Sequence, residues 1–216
     1  MAGTTFPFTV QAAIDSQTSD TKSLAIAIRA PLSIVAPARL FNGTRTARTE
    51  VGLSFLAGFE ATGGLGPYVW TQSGTLPLGI EFDVSDGSLT GEPEEAGTSR
   101  FSVSVADAES RTISYAGTIV VAERLTIVTR RLKKGKVGRV YRSKLVSTGG
   151  VTPISWRIKR GPLPKGIRFD RVTGSFVGTP AKAGIWIITV ELVDALRVKA
   201  TTNVVVVVAP KPKPKR

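Results

Sequence analysis

Alternation of hydrophobic and polar residues is the dominant pattern along this chain of 216 residues. Apolar side chains recur at every second position in "VGLSFLAGF" (51–59), "FSVSV" (101–105) and "WIITVEL" (186–192), which is the period of a strand with one buried face. The run "NVVVVVA" (203–209) is too short to cross a bilayer and predicts a buried or half-buried final strand. No segment combines a helical period with capping residues, so the predicted fold class is all-β.

A second pattern repeats at long range. The stretches "LPLGIEFDVSDGSLTGEPEEAG" (76–97) and "LPKGIRFDRVTGSFVGTPAKAG" (163–184) align without a gap, 87 residues apart, and agree at 12 of 22 positions. In both copies Pro and Gly are placed to form turns, and the shared apolar residues are placed to form a core. Trp70 and Trp156 occupy equivalent positions upstream, where burial is expected. The repeat indicates two β-sandwich units, predicted at 31–122 and 123–209.

Both ends of the chain depart from this two-unit pattern. The stretches "AGTTFPFTVQAAID" and "TKSLAIAIRAP" match the last two strands of a unit, so 1–30 is predicted to be the closing part of a truncated repeat that follows upstream domains. An isolated two-stranded hairpin is marginally stable, and Phe6, Phe8, Ile26 and Ile28 would remain partly exposed. Residues 210–216 alternate Pro and Lys, which predicts an extended tail.

The motifs "GG..PY.W", "G.LP.GI.FD", "G.P..AG" and "F.V.V.D" together resemble the immunoglobulin-like repeats of large bacterial surface and secreted proteins, which are related to cadherin-like domains of the dystroglycan type. The resemblance covers two complete units and the partial one. It implies tandem immunoglobulin-like β-sandwiches in an extracellular or cell-surface protein, used as a stalk, adhesion module or appended binding module. The sequence start has no signal-peptide pattern, which agrees with a C-terminal fragment.

The composition removes the commonest catalytic groups. The chain contains no Cys and no His, which excludes thiol nucleophiles, imidazole bases and Ser/His/Asp arrangements. Glu92, Glu94 and Glu95 form an acidic cluster, but a solvated surface turn explains them better than a pair of catalytic carboxylates. We therefore predict that the chain is not an enzyme and has neither catalytic residues nor a cofactor.

The cadherin-like resemblance raises the question of Ca²⁺ binding between units. Calcium requires six to eight oxygen ligands that converge from several loops. The second unit keeps only Asp170 and Asp194, and no "DxNDN"-like linker is present, so turn capping is the preferred interpretation of these acidic residues. The candidate calcium ligands are Asp83, Asp86, Asp107, Glu109 and Glu123.

Charge divides the chain into two unlike halves. Residues 1–123 contain 7 Lys and Arg against 13 Asp and Glu, a net charge of −6, whereas 124–216 contain 22 against 3, a net charge of +19. The excess is concentrated in "TRRLKKGKVGRVYRSK" (129–144), which has no acidic residue. This block predicts binding of a polyanion, and the alternative is a solvated charged surface. The candidate polyanion-binding residues are Arg130, Arg131, Lys133, Lys134, Lys136, Arg139, Arg142 and Lys144.

These observations favour a non-catalytic extracellular stalk or adhesion segment whose basic second unit binds anionic cell-wall or surface polymers. The alternative is an accessory carbohydrate-binding region of a secreted hydrolase. Sequence-specific nucleic-acid recognition is not expected, because the chain lacks a recognition helix or RNA-binding signature and its aromatic residues lie mostly at core positions. No membrane span is predicted, since no apolar run reaches about 18 residues.

Overall fold

A computed structural model describes residues 4–13, 19–41 and 43–211. These residues form twenty strands and one single-turn helix, so the all-β prediction is confirmed. The predicted tail is described only through Lys211, and 212–216 lie outside the described residues, as do 1–3 and 14–18 at the N-terminal end.

The N-terminal segment is a hairpin of two strands, β1 (Thr4–Ala13) and β2 (Ser19–Ile28). Within the described residues these strands pair only with each other, with Phe6 opposite Ile26 and Phe8 opposite Leu24. The predicted exposure of the apolar residues is confirmed, because Phe6, Phe8, Ile26 and Ile28 are between 42% and 58% exposed.

The first unit begins after this hairpin. One sheet has the order β4-β11-β10-β7, a second has the order β5-β9-β8, and β3 pairs with β6. The helix α1 is a single turn that sequence periodicity did not predict, and it places Phe41 in the core. The elements are β3 (Ser33–Val35), α1 (Ala38–Phe41), β4 (Thr46–Glu50), β5 (Phe55–Gly58), β6 (Glu60–Thr62), β7 (Val69–Gly74), β8 (Ile80–Asp83), β9 (Ser88–Gly91), β10 (Gly97–Ala106) and β11 (Thr112–Ala122).

The second unit repeats this arrangement. Its four-stranded sheet has the order β13-β20-β19-β16, its three-stranded sheet has the order β14-β18-β17, and β12 pairs with β15. The elements are β12 (Thr126–Ile127), β13 (Gly135–Lys136), β14 (Tyr141–Lys144), β15 (Ser147–Thr148), β16 (Ser155–Arg160), β17 (Ile167–Asp170), β18 (Ser175–Gly178), β19 (Gly184–Val193) and β20 (Lys199–Ala209).

Each unit has its own hydrophobic core between its two sheets. Trp70 and Trp156 are only 6% and 4% exposed, which confirms their predicted burial. Each indole lies against a turn glycine with positive φ, Gly87 in the first unit and Gly174 in the second, and a Cβ at either glycine would come within 3.0 Å of the ring. The repeated Gly and Trp therefore fit each other, because no other residue leaves room for the indole at that turn.

The two units meet at a pair of buried carboxyl groups. Glu50 at the end of β4 is 1% exposed and accepts a hydrogen bond from the backbone N of Leu125 at 3.1 Å. Asp194, which follows β19 and is 6% exposed, accepts hydrogen bonds from the backbone N of Val151 at 2.9 Å and of Val198 at 2.8 Å. Burial and the neighbouring Asp194 raise the pKa of Glu50 from 4.5 to about 7.

The pKa of Asp194 shifts in the opposite direction from that of Glu50. Burial of Asp194 favours the neutral form, but the neighbouring Glu50 carboxyl and hydrogen bonds from the backbone N of Val151 and Val198 outweigh burial and lower its pKa. Glu50 is therefore the member of the pair whose neutral form is favoured. A small cavity at the same junction is lined by Arg48 and Ala122 of the first unit and by Gly150 and Val151 of the second.

We expect the stability of this junction to fall as pH rises from about 4.5 to about 7. The folded protein holds the Glu50 proton up to about pH 7, whereas the unfolded chain releases it near 4.5, so unfolding becomes easier across that window. The measurement is the urea midpoint as a function of pH for the wild type and Glu50→Gln. The variant should show a flatter profile, and an equally steep one would contradict the raised pKa of Glu50.

We also expect the hairpin to be the least stable described part of the chain. Among the described residues no second sheet covers its apolar face, whereas the equivalent strands β10 and β11 bury Phe101, Val103 and Ile119. Amide hydrogen exchange on the dilute chain should proceed faster in β1 and β2 than in β10. Equal protection in these strands would disprove this expectation.

Candidate polyanion-binding groove

The basic segment 129–144 runs along the edge of the second unit and divides its cations between two surfaces. Four of them, Arg131, Lys133, Arg142 and Lys144, line one open groove of about 530 Å³. Thr129, Ser143, Ser175 and Val177 complete its lining, and no acidic residue takes part. We call this feature the basic groove.

The alternation of buried and exposed side chains along β14 places two of the four groove cations. Tyr141 and Ser143 point into the unit and are buried, so Arg142 and Lys144 point outward. On the neighbouring strand β18, Val177 lies opposite Arg142, and Ser175 lies opposite Lys144. The floor of the groove is therefore the outer face of the three-stranded sheet, whose other face covers the core.

Hydrogen bonds attach the other wall of the groove to β14. The backbone N of Lys133 donates to Ser143 Oγ at 3.2 Å, and Tyr141 Oη donates to the Lys133 carbonyl at 2.9 Å. Near the other end of the wall, the backbone N of Val146 donates to Thr129 Oγ1 at 2.8 Å. These hydrogen bonds hold the segment that carries Arg131 and Lys133 beside Arg142 and Lys144.

The remaining four predicted residues lie elsewhere on the second unit. Arg130 Nη1 donates to Thr202 Oγ1 on β20 at 3.4 Å. Lys134 contributes to a separate hollow beside β20, Lys136 pairs with Ala209 at the end of the same strand, and Arg139 lies in the turn between β13 and β14. The structure therefore brings together four of the eight predicted residues in one groove.

Arg168 is a residue that the predicted set omitted. It lies on β17 opposite Val177, which in turn lies opposite Arg142, and all three side chains are exposed. The available signal was the exchange of Glu81 for Arg168 between the repeats. In the first unit the equivalent row contains Leu56, Thr90 and Glu81, so the basic character of this face is not required by the fold.

The carboxylates considered for calcium act within turns. Asp83 accepts hydrogen bonds from the backbone N and Oγ of Ser85 at 2.8 and 2.6 Å, and Asp86 accepts one from the backbone N of Ser88 at 2.9 Å. These contacts within a turn lower the pKa of Asp83.

Two of the other calcium candidates, Asp107 and Glu109, share Arg111 as an ion-pair partner. Asp107 accepts from the backbone N of Leu65 and Arg111 and from Arg111 Nε, while Glu109 pairs with Arg29 and Arg111. Glu123 is exposed in the connection between the units. Across 4–13, 19–41 and 43–211, no three Asp, Glu, His or Cys side chains are grouped to hold a metal ion. The candidate ligands do not fit a calcium site.

The three indoles of the two units are at least partly buried. Trp70 and Trp156 are buried and Trp186 is half-buried, so none of the three indoles forms an exposed platform for a sugar ring. In the part of the chain that the structure describes, no helix is long and apolar enough to span a bilayer.

Solved structures support the immunoglobulin-like fold. A C-terminal 282-residue fragment of intimin, in complex with the intimin-binding domain of the translocated intimin receptor, aligns with a TM-score of 0.50, 16% identity, and coverage of 84% of this chain and 65% of that one. Immunoglobulin domains 1–4 of Sidekick-1 align with a TM-score of 0.50, 12% identity, and coverage of 96% and 68%. At these identities the likeness shows the fold alone.

A "putative alpha-galactosidase/melibiase" from Bacteroides fragilis aligns over 39% of this chain and 17% of its own, with 19% identity and a TM-score of 0.35. The chain thus spans less than a fifth of that protein, and the match carries no weight for function. A comparison with curated proteins found no match.

The sequence itself assigns the family. The model of the family described as "Putative Ig domain" matches residues 33–122 and again 126–209, which together make up most of the chain. Immunoglobulin-like folds are typically non-catalytic. They are also typical of extracellular proteins. The chain belongs to the "Putative Ig domain" family, of which it contains two tandem copies.

Proposed function

We propose that this chain is a non-catalytic stalk or adhesion segment of an extracellular protein, and that its second unit holds anionic cell-wall or surface polymers in the basic groove. Tandem immunoglobulin-like domains are of the kind that adhesion and surface proteins contain. The observation that carries the proposal is the convergence of Arg131, Lys133, Arg142 and Lys144 on one groove without an acidic partner.

The electrostatics of the groove favour a polymer over a small anion. Four positive side chains that line one groove add their fields, because screening at physiological salt extends over roughly 8 Å. The groove is open to solvent, so a small anion would stay largely hydrated, whereas a linear polyanion would place several charges near several cations at once. Each contact releases counterions, which makes binding salt-dependent and broad in ligand identity.

Carbohydrate recognition by an accessory region of a hydrolase receives less support. Such sites present aromatic rings among a few polar groups, and the lining of the basic groove contains no aromatic residue. Teichoic acid, lipopolysaccharide phosphate and acidic polysaccharide share the repeated anionic group that the groove can pair with.

The proposal is tested by retention of the full chain on heparin, teichoic acid and lipopolysaccharide columns. We expect retention on all three at about 50 mM salt and elution well before about 500 mM, because the contacts are charge pairs. Passage through all three columns at low salt would show that the basic face is only a solvated surface.

A further inference from the structure

The outer face of the four-stranded sheet in the second unit carries an exposed aliphatic cluster. Ile185 and Ile187 on β19 are 71% and 63% exposed. They lie opposite Val207 and Val205 of β20, respectively, so the four side chains are cross-strand neighbours on one surface. We call these four residues, together with the flanking cations Arg131, Lys134 and Arg160, the aliphatic face.

The first unit shows that the fold does not require this cluster. The pair equivalent to Ile185 and Val207 is Thr98 and Val120, and the pair equivalent to Ile187 and Val205 is Arg100 and Thr118. Both units bury the opposite face of these strands in their cores. The isoleucines at 185 and 187 are therefore a property of the second unit's surface.

Cations flank the cluster on both sides. On one side Arg131 and Lys134 line a hollow of about 200 Å³ together with Val205 and Val207. On the other side, Arg160 of β16 lies opposite Thr189, which follows Ile187 by two residues on β19.

The single acidic residue of the four strands is already paired. Glu191 accepts a hydrogen bond from Arg157 Nε at 2.6 Å, and Lys159 Nζ lies 3.4 Å from its Oε2. Burial opposes ionisation of Glu191, but these two partners outweigh burial and hold its pKa below the usual value. The aliphatic face is therefore apolar at its centre and positive at its margins.

We propose that the aliphatic face docks on an anionic lipid surface. In that arrangement Ile185, Ile187 and the two valines enter the boundary between headgroups and acyl chains, while the flanking Lys and Arg side chains meet phosphates. The aliphatic face is centred on β19 and β20 and shares Arg131 with the basic groove, but its docking on lipid does not depend on the proposed function.

A lipid surface fits these features better than a peptide or a second copy of the chain. A peptide strand adds to the edge of a sheet, whereas the four aliphatic side chains lie on the face formed by β19 and β20. A second copy would bring the same positive margins together, which is unfavourable. A membrane with anionic lipids offers acyl chains to the apolar centre of the face and phosphate groups to its positive margins.

The test is co-sedimentation of the full chain with phosphatidylcholine vesicles with and without phosphatidylglycerol. We expect binding to the anionic vesicles only. Ile185→Thr/Ile187→Thr should weaken it about tenfold, because two branched side chains no longer enter the lipid while the net charge is unchanged. Leu56→Thr/Val172→Thr, which also removes two exposed aliphatic side chains, is the matched control and should bind like the wild type.

Two further measurements keep this test decisive. Retention of the isoleucine variant on heparin should equal that of the wild type, which separates this inference from the basic groove, and its urea midpoint should show that it is folded. Equal vesicle binding by the folded variant would overturn the proposal. So would sedimentation showing a dimer that the variant loses in the absence of lipid, because the face would then join copies of the chain.

Discussion

Reversing the charge of the four groove cations, as Arg131→Glu/Lys133→Glu/Arg142→Glu/Lys144→Glu, is expected to weaken heparin binding by about a thousandfold at low salt. Each substitution removes one contact with an anionic group and places a repelling carboxylate in the same groove. Binding constants for the full chain should be measured at several salt concentrations. We expect the variant to have a shallower dependence on salt, since fewer counterions are released.

The control for this variant changes the net charge equally without touching the groove. Lys165, Arg171, Lys182 and Lys199 are exposed residues of the same unit that do not line the groove, so their joint replacement by Glu tests net charge alone. The control should lose far less affinity than the groove variant. Equal losses would mean that diffuse positive charge, and not the groove, attracts the polymer.

Trp156→Ala is expected to destabilise the second unit by about 3–5 kcal/mol, a large share of the stability of one domain. The indole is 4% exposed and lies against Gly174, and the paired strands around it cannot close over the space it leaves. Trp70→Ala should have a similar effect on the first unit, where Gly87 takes the place of Gly174.

These losses can be measured by urea unfolding followed by circular dichroism, with each unit allowed its own transition. Val172→Ala, at an 80% exposed position in the second unit, is the control and should change the midpoint little. If Trp156→Ala leaves the second unit as stable as this control, the burial of the repeated tryptophan is not what holds the core together.

The repeat made the fold predictable because each unit confirmed the other. Turn glycines, tryptophans and alternating strands recur with one spacing, so a single register accounts for both units, and the structure places Ile80 and Ile167 at equivalent buried positions. The one-turn helix Ala38–Phe41 escaped prediction because four residues are too few to show a helical period.

The site was only partly predictable, because it depends on which way strands face. The basic block is obvious in sequence, but only the alternation of β14 and the path of residues 129–133 decide that Arg142 and Arg131 share a groove while Arg130 contacts β20. Glu50 and Asp194 are 144 positions apart in different units, and no local pattern predicts their contact.

Amine labelling of the full chain with and without heparin, read out by mass spectrometry, tests the location of the polymer most directly. Lys133 and Lys144 line the basic groove, whereas Lys165 and Lys199 are exposed residues of the same unit outside it. Heparin should slow labelling of the first pair and leave the second pair unchanged. Equal protection of all four lysines, or protection of Lys165 and Lys199 alone, would contradict binding in the groove.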